Sequence, residues 1–195
     1  MNPQAAQEHI HHRLRTELDP AYAYHSLAHT EDVVAATREI AELEGVSKHE
    51  TDLLVTAAWY HDCGFIIGSQ DHEISGCEIV RTTLPTFDFT ESDIEAICGM
   101  IMATKIPQSP TNRLEEILAD ADLDYLGRND FGEIGDRLFT ELSNYHILSD
   151  RLTWDRIQIS FLQKHTYFTE TNIERRRPRK LQHLHELEHR VALAE

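Results

Sequence analysis

Over most of this chain the apolar residues recur three and four apart. That spacing lays them along one side of an α-helix and does not suit a half-buried strand. Glycines are few and β-branched runs short, so the fold class expected is an all-α, compact helical bundle. Helices are expected near residues 4–18, 27–44, 48–62, 72–84, 91–104, 112–126, 130–146, 151–168 and 172–192. Local punctuation supports several of these. Asp19-Pro20 closes the first, and Gly45 follows the second where a C-terminal glycine cap belongs. Thr90-Glu91-Ser92-Asp93 reads as a capping box with Asp in place of the usual Glu. The two prolines of "KIPQSPTN" mark a loop before the helix that begins near Asn112. No repeat or flexible linker interrupts the pattern, so a single domain over 1–195 is expected.

A chain of 195 residues is long enough to bury a real core. Its net charge of −16 argues against a nucleic-acid polymer as partner. An anionic small molecule requires a local positive centre, which a bound metal ion would supply. No apolar run approaches the length of a membrane span, and "MNPQAAQEHIHHRLR" lacks the apolar core of a signal peptide, so cytoplasmic residence is expected. Cys63, Cys77 and Cys98 are odd in number and form no C-x-x-C pair, which suits reduced packing thiols. Of the 13 histidines, His9, His11, His12, His183, His185 and His189 lie in charged helical stretches near the ends and are expected to be exposed and idle. The sequence leaves the oligomeric state open, a homodimer included.

Helix faces separate the polar residues that matter from those that do not. In "HSLAHTEDVVAATREIAEL" the stripe Val33, Ala36, Ile40, Leu43 extends backwards onto His29. In "TDLLVTAAWYHDCG", His61 follows Ala57 by four residues and Asp62 follows Ala58 by four, so both point inward or along the edge of the buried face. In "LEEILADADLDYLG", Asp122 shares a face with Leu114, Leu118, Ala121, Tyr125 and Leu126. Asp120 and Asp124 are each two residues away, about 200° around a helix. Asp122 is therefore expected to be the one aspartate of the three that faces the core. A buried carboxylate without a partner is costly or takes up a proton. Any one buried His or Asp is more often a satisfied core hydrogen-bonder, but His29, His61, Asp62 and Asp122 together call for a shared divalent cation. Two imidazoles and two carboxylates suit Mn²⁺, Fe²⁺, Co²⁺, Ni²⁺ or Zn²⁺ better than Mg²⁺.

The ordered segments "YHSLAHTEDV", "YHDCG" and "DADLDYLG" resemble the HD-domain metal-dependent phosphohydrolase superfamily, whose signature is H…HD…D on a helical fold. The resemblance covers roughly residues 22–170, with "DHEISG", "IMATK" and "WDRIQISFLQKHTYFT" matching as well. It puts the metal ligands on His29, His61, Asp62 and Asp122 and implies hydrolysis of a phosphate ester or anhydride of a small nucleotide. Some members carry a glutamate shortly after the HD pair; here Cys63, Gly64 and Phe65 follow, and His72 and Glu73 are the nearest replacements. Two-metal members place extra histidines before the last aspartate, and none lies between His72 and Asp122, so one metal site is expected. In the implied mechanism Asp62 steers the attacking water, and His72 or Glu73 protonates the leaving oxygen. His25, one turn before His29, is either a substrate contact or a helix-start residue. Thr104 and Lys105 either meet phosphate or are surface residues; Arg113 and Arg128 are weaker candidates. His165 reads as packed, and "RRRPRK" (175–180) as a solvated loop. Two other readings stay in play: an oxygenase with a redox iron pair, and a nucleotide-binding regulatory module without turnover.

Overall fold

The computed structural model describes residues 1–194, which hold ten α-helices and no strand. They fall into two compact units, one of Met1–Pro20 with His25–Asp122, the other of Ala21–Tyr24 with the chain from Leu123 onward. No helix is long and apolar enough to cross a membrane.

The first unit holds α1 (Pro3–Glu17), α2 (Leu27–Glu44), α3 (Lys48–Tyr60), α4 (His72–Thr83), α5 (Glu91–Thr104) and α6 (Arg113–Asp122). Its centre is α3, buried at every residue from Leu53 to Tyr60, with α1, α2, α5 and α6 packed around it. A helix apolar on all sides can sit only inside such a ring. The Tyr60 hydroxyl donates to the Ala6 carbonyl at 3.1 Å, tying α3 to α1. Helix ends are fixed by local chemistry. Both Ser47–Glu50 and Thr90–Asp93 form complete capping boxes, the second as the sequence indicates. Gly45 ends α2 in the left-handed region at φ 65°. Ser26 occupies the N-cap of α2, but its side chain makes no capping bond.

The second unit holds α7 (Phe131–Asn144), α8 (Arg151–Lys164), α9 (Glu170–Arg175) and α10 (Arg177–Ala194). Its core gathers Tyr24, Leu126, Phe131, Leu162, Tyr167 and Leu187. Lys180 reaches the C-terminal end of α8, donating to the Leu162 carbonyl at 3.1 Å and to that of His165. His165 itself is packed, its ring 4.7 Å from that of Tyr167.

Five sequence expectations are corrected here. The helix expected over 112–126 stops at Asp122 and continues as a 3-10 turn, Asp124–Gly127. Asp120 and Asp124 are therefore not solvent-facing; both are more buried than Asp122. The last turn of α6 is enclosed on every side, and Asp124 is held by Arg176 at 2.7 Å and Asn172 at 3.2 Å. The terminal helix is two, broken at Arg176, with Pro178 in the first turn of α10. "RRRPRK" is consequently helix end and helix start rather than loop, and Lys180 within it is buried. His183 is buried too, its Nε2 2.7 Å from the Arg128 carbonyl and its ring stacked on Phe131.

Gly64 sits where the chain leaves α3 and crosses the start of α4. A Cβ there would lie 1.8 Å from the His72 carbonyl oxygen and 2.9 Å from the Gly76 amide nitrogen, both backbone. A Cβ on Gly68 would meet nothing within 4 Å. Gly64→Ala is expected to lower the unfolding free energy by about 2–4 kcal/mol, and Gly68→Ala by no more than about 0.5 kcal/mol, measured by urea denaturation of the two variants side by side.

Candidate metal centre

Three helix ends of the first unit converge. α2 contributes His29 from its first turn, at the head of the buried stripe Val33, Ala36 and Ile40. α3 stops at Tyr60, leaving His61 at its C-cap and Asp62 at the start of a 3-10 turn, Cys63–Ile66, with φ −103° and ψ 7°. α6 ends on Asp122. His29, His61 and Asp62 are buried, and the Asp122 side chain is 14% exposed.

The functional atoms meet closely. His29 Nε2 lies 3.4 Å from Asp62 Oδ2 and 3.2 Å from Asp122 Oδ1. His61 Nε2 lies 3.1 Å and 3.5 Å from the same two oxygens. The two Nε2 atoms are 3.3 Å apart. Donors that share one ion at about 2.0–2.2 Å stand roughly 2.8–3.6 Å from one another, whether the ion is four- or six-coordinate. The observed separations fall in that range. His29, His61 and Asp122 each offer a ligand atom to one ion on distance alone.

Two further observations fit a cation here. His61 Nδ1 is 2.8 Å from the Ala58 carbonyl oxygen, a pure acceptor, so Nδ1 carries the hydrogen and Nε2 of the neutral ring presents its lone pair to the cluster. Orientation of a ligating imidazole by a backbone carbonyl is the usual support for a metal-binding histidine. Asp62 Oδ2 is buried and, among the described residues, has no partner with hydrogen-bond geometry, despite the nearby ring nitrogens. Burial alone would lower the His61 pKa and raise those of the two aspartates. The Asp62 charge nevertheless holds His61 well above the usual histidine value, and the histidines hold Asp62 and Asp122 below the usual carboxylate range. Positive charge among these groups offsets the two carboxylates, and either a shared proton or a divalent cation can supply it.

A second ring of residues borders the first. His72 Nε2 is 3.5 Å from Asp62 Oδ1 and 3.6 Å from Glu73 Oε1. Lys105 Nζ is 2.8 Å from Asp71 and 4.0 Å from Glu73 Oε2. The His25 ring stacks on Phe65 with centroids 4.1 Å apart and stands 6.3 Å from those of His29 and His72. His25, His72, Glu73 and Lys105 are thus brought to the centre. Thr104 is buried and its hydroxyl donates to the Ile101 carbonyl at 2.8 Å. Arg113 is not brought there: it opens α6, at the opposite end from Asp122, and bonds the Glu44 backbone and carboxylate. Arg128 pairs with Asp130 and Asp124 in the second unit. Phe65, wedged among these rings, carries no polar atom and no periodicity that would single it out in the sequence.

The helical fold draws the H…HD…D residues of the sequence to one point. The HD domain family model matches residues 26–124, just over half of the chain, and the chain belongs to that family. A crystal structure of a predicted HD superfamily hydrolase from an uncultured Thermotogales bacterium is similar in fold, with a TM-score of 0.63 and 21% identity, over 98% of this chain and 92% of that one. No curated relative matches the sequence.

Adding Mn²⁺ or Co²⁺ at a hundredfold excess over its Kd is expected to stabilise the protein by about 2.7 kcal/mol. For a chain of this size that is a rise in Tm of roughly 5–10 °C, lost in His61→Ala and Asp122→Ala; differential scanning calorimetry of the three proteins checks it.

Proposed function

We propose that the chain is a metal-dependent phosphohydrolase that cleaves a phosphate ester or anhydride of a small nucleotide. The placement of each of two imidazole nitrogens 3.1–3.5 Å from both the Asp62 and the Asp122 carboxylate carries this reading. His29, His61, Asp62 and Asp122 hold one divalent cation, and the two imidazoles favour Mn²⁺, Fe²⁺, Co²⁺, Ni²⁺ or Zn²⁺ over Mg²⁺. When bound, such an ion supplies an acidified water and polarises a phosphoryl oxygen. Asp62 turns Oδ2 towards the histidines and Oδ1 towards His72, so one carboxylate both binds and orients. Glu73, buried and next to both His72 and Lys105, completes a short chain of proton-carrying groups leading away from Asp62. His72 or Glu73 delivers a proton to the leaving oxygen. Lys105 contributes positive charge for phosphate, held in place by Asp71. The His25 ring offers a flat contact beside the cluster.

A panel of nucleoside mono- and triphosphates and cyclic nucleotides, assayed by product analysis with Mn²⁺, Co²⁺, Ni²⁺ and Mg²⁺, tests this. Turnover is expected with one substrate class, abolished by chelation. Alanine at His61 or Asp62 is expected to reduce kcat/KM by more than about 100-fold with the helical circular-dichroism spectrum intact. Wild-type turnover in both variants would refute the assignment.

A further inference from the structure

After the HD pair this chain continues with Cys63, Gly64 and Phe65. Gly64 lets the backbone pass so close to the His72 carbonyl that no side chain fits between them. This fixes where the α4 backbone begins. The next residue, Phe65, is buried, and its ring touches the His72 ring with centroids 4.2 Å apart and stacks on His25 at 4.1 Å and 19°. Backbone and ring of His72 are therefore each located by one of two consecutive residues. The imidazole so placed has its Nε2 3.5 Å from Asp62 Oδ1.

We infer that Phe65 is a positioning residue of the metal centre: it holds the His72 ring against Oδ1 of Asp62, so that Oδ2 faces His29 and His61. The inference rests on the metal-binding reading above and extends it to a residue with no polar atom. An imidazole set 3.5 Å from one carboxylate oxygen restricts how far the other can swing from the ion. Partners that orient a ligand in this way typically govern affinity by 10–100-fold. A phenylalanine that merely fills space would influence stability and leave the ion's affinity unchanged.

Co²⁺ affinity at one fixed pH, read by isothermal calorimetry and the d–d absorption bands, separates the two roles without recourse to activity. Phe65→Leu is expected to weaken Co²⁺ binding about 10–100-fold, His72→Ala to weaken it comparably, and the double variant to bind no worse than the weaker single. Should Phe65→Leu fail to give a native far-UV spectrum, Phe65→Met takes its place. In the metal-free protein the His72 Hε1 proton is expected to show a ring-current shift that collapses in the Phe65 variant. A wild-type Kd in that variant, or losses that multiply in the double variant, would overturn the inference alone. Failure of the wild-type chain to bind any divalent ion would overturn the metal-binding reading, and this inference with it.

Discussion

Two carboxylates and two imidazoles buried at the end of an apolar helix set the terms for the structure around them. Each carboxylate is expensive to bury alone, and the lone pair of His61 is aimed at them by its bond to Ala58. Opposite charge at their centre would turn this crowding from a liability into a binding site. The location follows from α3: because that helix is enclosed on all sides, whatever terminates it is delivered into the interior. His29 and Asp122 reach the same point from the first turn of α2 and the last residue of α6, so the cluster closes three helix ends at once.

The turn after Asp62 shapes the second ring. A side chain at position 64 would push α4 away from it, and with α4 would go His72 and Glu73. Phe65 then fills the space between His25 and His72 with a ring rather than an acid. Glu73 brings a carboxylate to within 3.6 Å of the His72 ring from the start of the next helix.

Helical spacing made the first ring legible. Steps of three and four lead straight from Val33 to His29 and from Ala57 to His61, because one helix face meets one core. The same logic misjudged Asp120 and Asp124. It presumes a helix with an outside, whereas the last turn of α6 has none and Asp124 belongs to a 3-10 turn gripped by Arg176 and Asn172. His183 and Lys180 were hidden for a related reason. Their neighbours are charged, and only the distant carbonyls of Arg128, Leu162 and His165 make their burial tolerable. Partners more than ten residues away leave no periodic trace. Phe65 was invisible on other grounds: an apolar residue in an apolar stretch looks like core, whatever its ring touches.

The clasp between Lys105 and Asp71 has its own implication. It joins the residue after α5 to the one before α4, and Asp71 adopts φ 49° to make it, a left-handed conformation that aspartate tolerates better than most side chains. Both partners are solvent-accessible, so dissolved ions compete with the pair over a screening distance of about 10 Å at 0.1 M. The Lys105–Asp71 contact beside the cluster is therefore one that brine loosens, while the largely buried histidines and aspartates next to it register the change less.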